Sequence, residues 1–106
     1  MIEPGKVPYM KEIESSLESL QREVGGYIEV VYPYEDMCGI ITGEEAKLNG
    51  SPYNRALRDE DGEIYDIIAG PFMIVGLGED DFASLDEKLI PKYTGLFKTP
   101  ERFVHL

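Results

Sequence analysis

Apolar residues fall at Met10, Ile13, Leu17, Leu20 and Val24, with spacings of 3, 4, 3 and 4 that place them on one face of an α-helix. Pro8 suits a first helical position, Glu12 and Glu14 lie near the positive end of the helix dipole, and Gly25-Gly26 supply a stop. The pattern predicts a helix over Pro8 to Val24. Its stripe is too short for a coiled coil and implies packing against a sheet of the same chain. Beyond the glycines the period changes. Tyr27 to Tyr32 is rich in β-branched and aromatic residues and is closed by Pro33, and Cys38 to Thr42 is a second such run. The link between them is too short for a parallel crossover, so the two strands form an antiparallel hairpin.

Asn49-Gly50 and Asp61-Gly62 mark turns, because both dipeptides tolerate positive φ. Between them, Pro52 to Leu57 reads as a short helix or an edge segment, and the pattern does not choose. Glu63 to Ile68 and Phe72 to Leu77, split by Gly70-Pro71, have the length and bulk of central strands. Ser84-Leu85-Asp86-Glu87 is a capping-box pattern, which predicts a helix with Leu85, Leu89, Tyr93 and Leu96 facing inward. Pro91 would kink it or divide it in two. Thr99-Pro100 opens a last short segment ending in Phe103 to Leu106. The expectation is a single domain over residues 1–106 of α+β class. A mainly antiparallel four- to five-stranded sheet would be covered by an N-terminal amphipathic helix, with kinked C-terminal helical segments at one edge.

Charge changes the picture most. Ten Lys and Arg against 21 Asp and Glu give a formal net charge of −11. Such a surface repels phosphate, which disfavours direct nucleic-acid binding and anionic membranes and favours a partner with a basic surface. Solubility alone is the competing explanation. The longest apolar run, Ile67 to Leu77, is interrupted by Gly70, Pro71 and Gly76 and is too short to span a bilayer. A single cysteine, Cys38, and an N-terminus without a secretory pattern imply a cytoplasmic protein.

Several motifs imitate known chemistry and fail on their neighbours. Asp59 to Ile64 resembles the centre of a calcium loop, but that alignment puts Leu57 and Ile68 at the first and last ligand positions. Gly76-Leu77-Gly78 begins like a dinucleotide fingerprint, then meets Glu79, Asp80 and Asp81 where phosphate would sit. Asn49-Gly50-Ser51 is a glycosylation sequon by spelling only. Cys38 inside an apolar strand and His105 beside the terminus make a poor nucleophile and base. No catalytic residue, metal ligand or cofactor is assigned. Two acidic clusters at turns, Asp59-Glu60-Asp61 and Glu79-Asp80-Asp81, are the candidate partner-binding residues. Against this background Arg55 stands out. With Asn54 and Tyr65 it makes a set able to orient an anion or a planar ligand, while the structural alternative pairs Arg55 internally with an acidic residue and has Asn54 cap a turn.

Val24 to Glu29, Asn54 to Leu57, Gly62 to Gly70 and Ile74 to Gly78 resemble the family called domain of unknown function 3846. The resemblance runs from Glu3 to Pro100 and departs from the family at Pro71 and at Met37-Cys38-Gly39. It implies a small protein of phages, plasmids and integrated elements, and it carries no activity or functional residues with it. The expected function is therefore a non-enzymatic accessory protein of a mobile element. It would act as a counter-defence inhibitor of anti-CRISPR or anti-restriction type that binds a basic host nuclease or nucleic-acid-binding effector. The alternative is a module that binds or sequesters a small molecule or nucleotide signal through Asn54, Arg55 and Tyr65.

Overall fold

The computed structural model describes residues 1–13, 16–78 and 82–101. The first helix is shorter than its apolar stripe. α1 spans Leu17–Val24, and Ser16 opens it by accepting a hydrogen bond from the Ser19 N–H at 3.2 Å. Gly25 closes it with a left-handed φ of 81°, and its N–H donates to the Gln21 carbonyl. Residues Pro8 to Ile13, expected in the same helix, are not helical. The Met1 amino group donates to the Tyr9 carbonyl at 2.9 Å and the Tyr9 N–H returns a bond to Met1, which ties this stretch to the chain start. Only Leu20 and Val24 of the predicted stripe are buried, whereas Met10 and Leu17 are 78% and 58% exposed.

The predicted hairpin is present. β1 (Ile28–Val31) pairs antiparallel with β2 (Cys38–Gly43), Val30 standing opposite Ile41. The undecided stretch after Pro52 is a strand, β3 (Tyr53–Arg58), and it pairs antiparallel with β4 (Ile64–Ala69). Gly62 turns this second hairpin at φ 82°. β5 (Met73–Leu77) returns to β2, and the two-residue β6 (Phe82–Ala83) follows it, giving a four-stranded sheet in the order β1-β2-β5-β6. The mainly antiparallel four-stranded sheet is present, but the strands do not form a single sheet as expected from the sequence: β3 and β4 make a separate two-stranded one. β5 is an inner strand as predicted, while β4 belongs to the second sheet.

Alternation distributes the larger sheet between two cores. On one face Ile41 and Met73, with Val30, Val75 and Phe82, meet Leu20 and Val24 of α1. On the other face Cys38, Ile40 and Ile74 meet Leu57 and Ile68 of the second hairpin together with Tyr93 and Phe97. The C-terminal helix α2 spans Ile90–Leu96 and is one short helix without a kink inside it. It does not start at the capping-box serine. Pro91 lies in its first turn, where no intrahelical N–H is required, so the proline that was expected to bend a helix instead begins one. Asp86 forms the preceding turn, taking the Lys88 N–H on its side chain and the Leu89 N–H on its carbonyl. Tyr93 faces inward as predicted, Leu85 and Leu89 are half-buried, and Leu96 is exposed. Phe103 to Leu106 lie outside the described residues.

Two glycines give substitutions of opposite sign. A Cβ on Gly76 would press into the Ser84 carbonyl beside β6. Gly76→Ala is therefore expected to lower stability by roughly 1–3 kcal/mol. Gly95, within α2, has open space around it, so Gly95→Ala is expected to raise stability by up to about 1 kcal/mol. Urea denaturation of both variants measures the two shifts.

Candidate functional site

Asn54 and Arg55, the two residues that stood out from the acidic sequence, are side by side in β3 and almost completely buried, at 0% and 1% exposure. Each reaches away from its own strand. Asn54 Nδ2 donates to the carbonyls of Ile2 and Gly70, both at 2.9 Å, and its Oδ1 accepts from Arg55 Nη1 at 2.8 Å. The guanidinium has five N–H donors. Nε and Nη2 donate to the Phe97 carbonyl, Nη2 also donates to the Lys6 carbonyl at 2.6 Å, and Nη1 also reaches the Asn54 carbonyl. Burial pulls the Arg55 pKa below its ordinary value, and the nearby Glu101 carboxylate opposes that shift. All five donors are thus spent on the protein itself. The ion pair with an acidic neighbour, expected as the structural alternative, is replaced by bonds to carbonyl oxygens, with Glu101 contributing through its field.

Tyr65 is not part of this cluster. It lies in β4, where Ile68 is the residue opposite Arg55, and it is exposed. Asn54 and Arg55 therefore share a buried network, while Tyr65 faces solvent. A concavity lies elsewhere among the described residues. It is a groove of about 800 Å³ lined by Tyr9, Ile13, Met73, Val75, Phe82 and Tyr93 among others, and Asn54, Arg55 and Tyr65 do not line it.

The acidic cluster in the β3–β4 turn is well defined. Asp59 Oδ1 accepts the N–H groups of Asp61 and Glu63, both at 2.9 Å, so this carboxylate holds the turn. Glu60, Asp61 and Glu63 project outward without an ion pair among the described residues. The second predicted cluster, Glu79, Asp80 and Asp81, lies outside the described residues. No group of His, Cys, Asp and Glu able to hold a metal occurs among the described residues.

Sequence reasoning missed Asp36, in the β1–β2 link. Its Oδ2 accepts from Lys92 Nζ and from the Tyr93 hydroxyl, both at 2.6 Å, which pins α2 to the first hairpin. Tyr34 completes the contact, with its ring 5.0 Å from that of Tyr93. The bond from Lys92, then that from Tyr93, lowers the Asp36 pKa, and burial raises that of Tyr93. Nothing local to Tyr34-Glu35-Asp36 announces this role, because both partners come from a helix more than fifty residues away, at separations of 56 and 57.

The stretches that carry the family resemblance are here the end of α1 with the start of β1, β3 with its Asn54–Arg55 pair, β4 with the turn before it, and β5. The family model described as Domain of unknown function (DUF3846) matches residues 1–98. The chain belongs to the DUF3846 family. No curated protein and no solved structure matches it. In this DUF3846 chain the matched span takes in the Arg55 network, the Asp36 contact and the acidic turn. No helix among its described residues is long and apolar enough to cross a membrane.

Two outcomes follow from this geometry. Arg55→Lys cannot supply the guanidinium fork and leaves buried carbonyls without donors, so it is expected to cost roughly 2–4 kcal/mol in chemical denaturation. Asp36 has a folded-state pKa below its unfolded value. Its contribution is complete above the unfolded pKa, near about 4, and is lost as pH falls through the folded value. Thermal melts at neutral and strongly acidic pH are expected to show a smaller acid-induced loss for Asp36→Asn than for the wild type.

Proposed function

We propose that this protein is a non-enzymatic binding module that docks through exposed carboxylates on the basic surface of a nucleic-acid-binding protein. The observation that carries this reading is the turn at Asp59 to Glu63. Its geometry is fixed by Asp59, and its remaining carboxylates are exposed and unpaired among the described residues. The ion pairs of the described residues engage Glu3, Glu23, Asp36, Asp66 and Glu101, so the carboxylates of this turn stay available to an external cation. A turn held by its own side chain and bearing several negative charges presents the charge that a basic nucleic-acid-binding surface attracts, and long-range attraction accelerates the encounter. The narrower form, a counter-defence inhibitor of anti-CRISPR or anti-restriction type, rests on the mobile-element setting that the family resemblance implies.

The small-molecule alternative keeps one supporting observation, the groove under Tyr9 and Met73. Its chemistry favours an apolar ligand over a nucleotide. Lys11, which lines it, is held by Glu23 at 2.7 Å, and the Met1 amino group is engaged by the Tyr9 carbonyl. Arg55, the cation best suited to a phosphate, is fully committed inside the protein.

Capture from a host lysate at low salt is the direct experiment, and the binding reading expects a nuclease or another nucleic-acid-binding protein. Replacing Glu60 and Asp61 together with Lys is expected to leave stability within about 0.5 kcal/mol, since both are exposed and Asp59 still holds the turn. The same double change is expected to slow association with the captured protein, and the difference should shrink as salt is raised. Recovery of no such protein, or equal association rates at low salt, would remove this turn from the function.

A further inference from the structure

Free strand edges in this fold are not treated alike. At the outer edge of β3 the Ala56 N–H is taken by Glu101 Oε2 at 3.0 Å. At the outer edge of β4 the Ile67 N–H is taken by Asp66 Oδ1 at 2.8 Å, and Lys47 crosses to the same oxygen. The outer side of β5 meets Ile2 at Phe72 and β6 at Gly76. Among the described residues β1 has no such cover. The Glu44 N–H donates to the Tyr27 carbonyl, so the backbone of Tyr27 faces β2. By alternation Glu29 and Val31 face β2 as well, and the N–H and C=O groups of Ile28 and Val30 point outward. Among the described residues nothing bonds to them. The ring of Tyr32, which follows β1, lies over Gly39 of β2, where an added Cβ would meet it at 3.2 Å.

We propose that the open edge of β1 receives an extended basic segment of a partner protein as an added strand, through the outward backbone groups of Ile28 and Val30. This rests on the reading of the protein as a binder of basic partners and supplies its mode of docking. Main-chain bonds to an exposed edge give affinity, and alternating side chains give selectivity. Charge decides the occupant. Glu29 lies in the edge strand, Glu44 follows the end of β2 beside Tyr27, and Glu35 lies beyond Pro33; all are exposed and lack an ion pair among the described residues. Lysine or arginine side chains flanking an extended segment meet these carboxylates. A second copy of the chain, carrying −11 of its own, is repelled from the same place.

The test uses a short capped peptide of alternating lysine and valine, a version N-methylated at its central residues, and a version with glutamate in place of lysine. Binding is followed by anisotropy at about 50 mM salt, where screening is modest. Amide exchange of the protein is followed by NMR. The lysine peptide is expected to protect the Ile28 and Val30 amides, N-methylation is expected to weaken binding at least about tenfold, and the glutamate peptide is expected not to bind. Glu29→Lys is expected to weaken the lysine peptide while leaving the fold unchanged. Binding of the lysine peptide without protection at Ile28 and Val30 overturns strand addition and leaves the basic-partner reading standing. Equal binding of the glutamate peptide, or of neither peptide, overturns both. Protection of the two amides that rises with protein concentration alone would assign the edge to self-pairing and overturn the proposal.

Discussion

The buried guanidinium of Arg55 is the constraint around which the second layer of this fold is arranged. A cation removed from water needs every donor satisfied, because each unmet group costs far more than a satisfied bond gains. Here the acceptors are carbonyls of Lys6, Asn54 and Phe97, drawn from the N-terminal segment, β3 and the end of α2. Asn54 adds Ile2 and Gly70. Two adjacent side chains thus add directional bonds between the N-terminal segment, the second hairpin and the end of α2. α2 cannot leave the sheet without stranding the guanidinium.

That arrangement explains why Cys38, Ile40 and Ile74 remain covered although the hairpin above them has only two strands. Apolar contact supplies the burial, but it is indifferent to small slips in position. The directional bonds of Arg55 remove that freedom at one end of α2, and the Asp36 contact with Lys92 and Tyr93 removes it on the helix itself. One contact lies within the core and the other at its rim. They respond to different agents, since a guanidinium keeps its charge at any ordinary pH and a carboxylate does not.

What could be read from the sequence was local. The β1–β2 hairpin follows from two β-branched runs and a short link, and β5 from the short apolar run that begins after Gly70-Pro71. The spacing of Met10 and Ile13 continues that of the first helix, but Tyr9 is bonded to Met1 and the stretch from Pro8 to Ile13 is not helical. The same ambiguity operated at Pro91, where a proline in a first turn and a proline in an interior look alike until the start of the helix is known. Arg55 was conspicuous in the sequence, but its environment was not. Its acceptors beyond β3 lie 42 and 49 residues away and belong to the main chain, which is the same for every residue. No side-chain pattern can mark such a site.

Acidic residues illustrate the same limit from the opposite direction. Composition counts Asp59, Asp66 and Glu101 with the rest of the negative charge, yet each accepts backbone N–H groups that a strand edge or turn would otherwise leave open. A carboxylate in that position blocks the approach of another strand both by occupying the donor and by its charge. The protein therefore spends part of its acidity on closing the edges of its smaller sheet and leaves the rest facing outward. At β1 the two roles separate. Among the described residues Glu29 contributes charge but bonds to no edge amide, so the strand repels acidic chains, copies of itself included, and remains chemically complementary to an extended basic one.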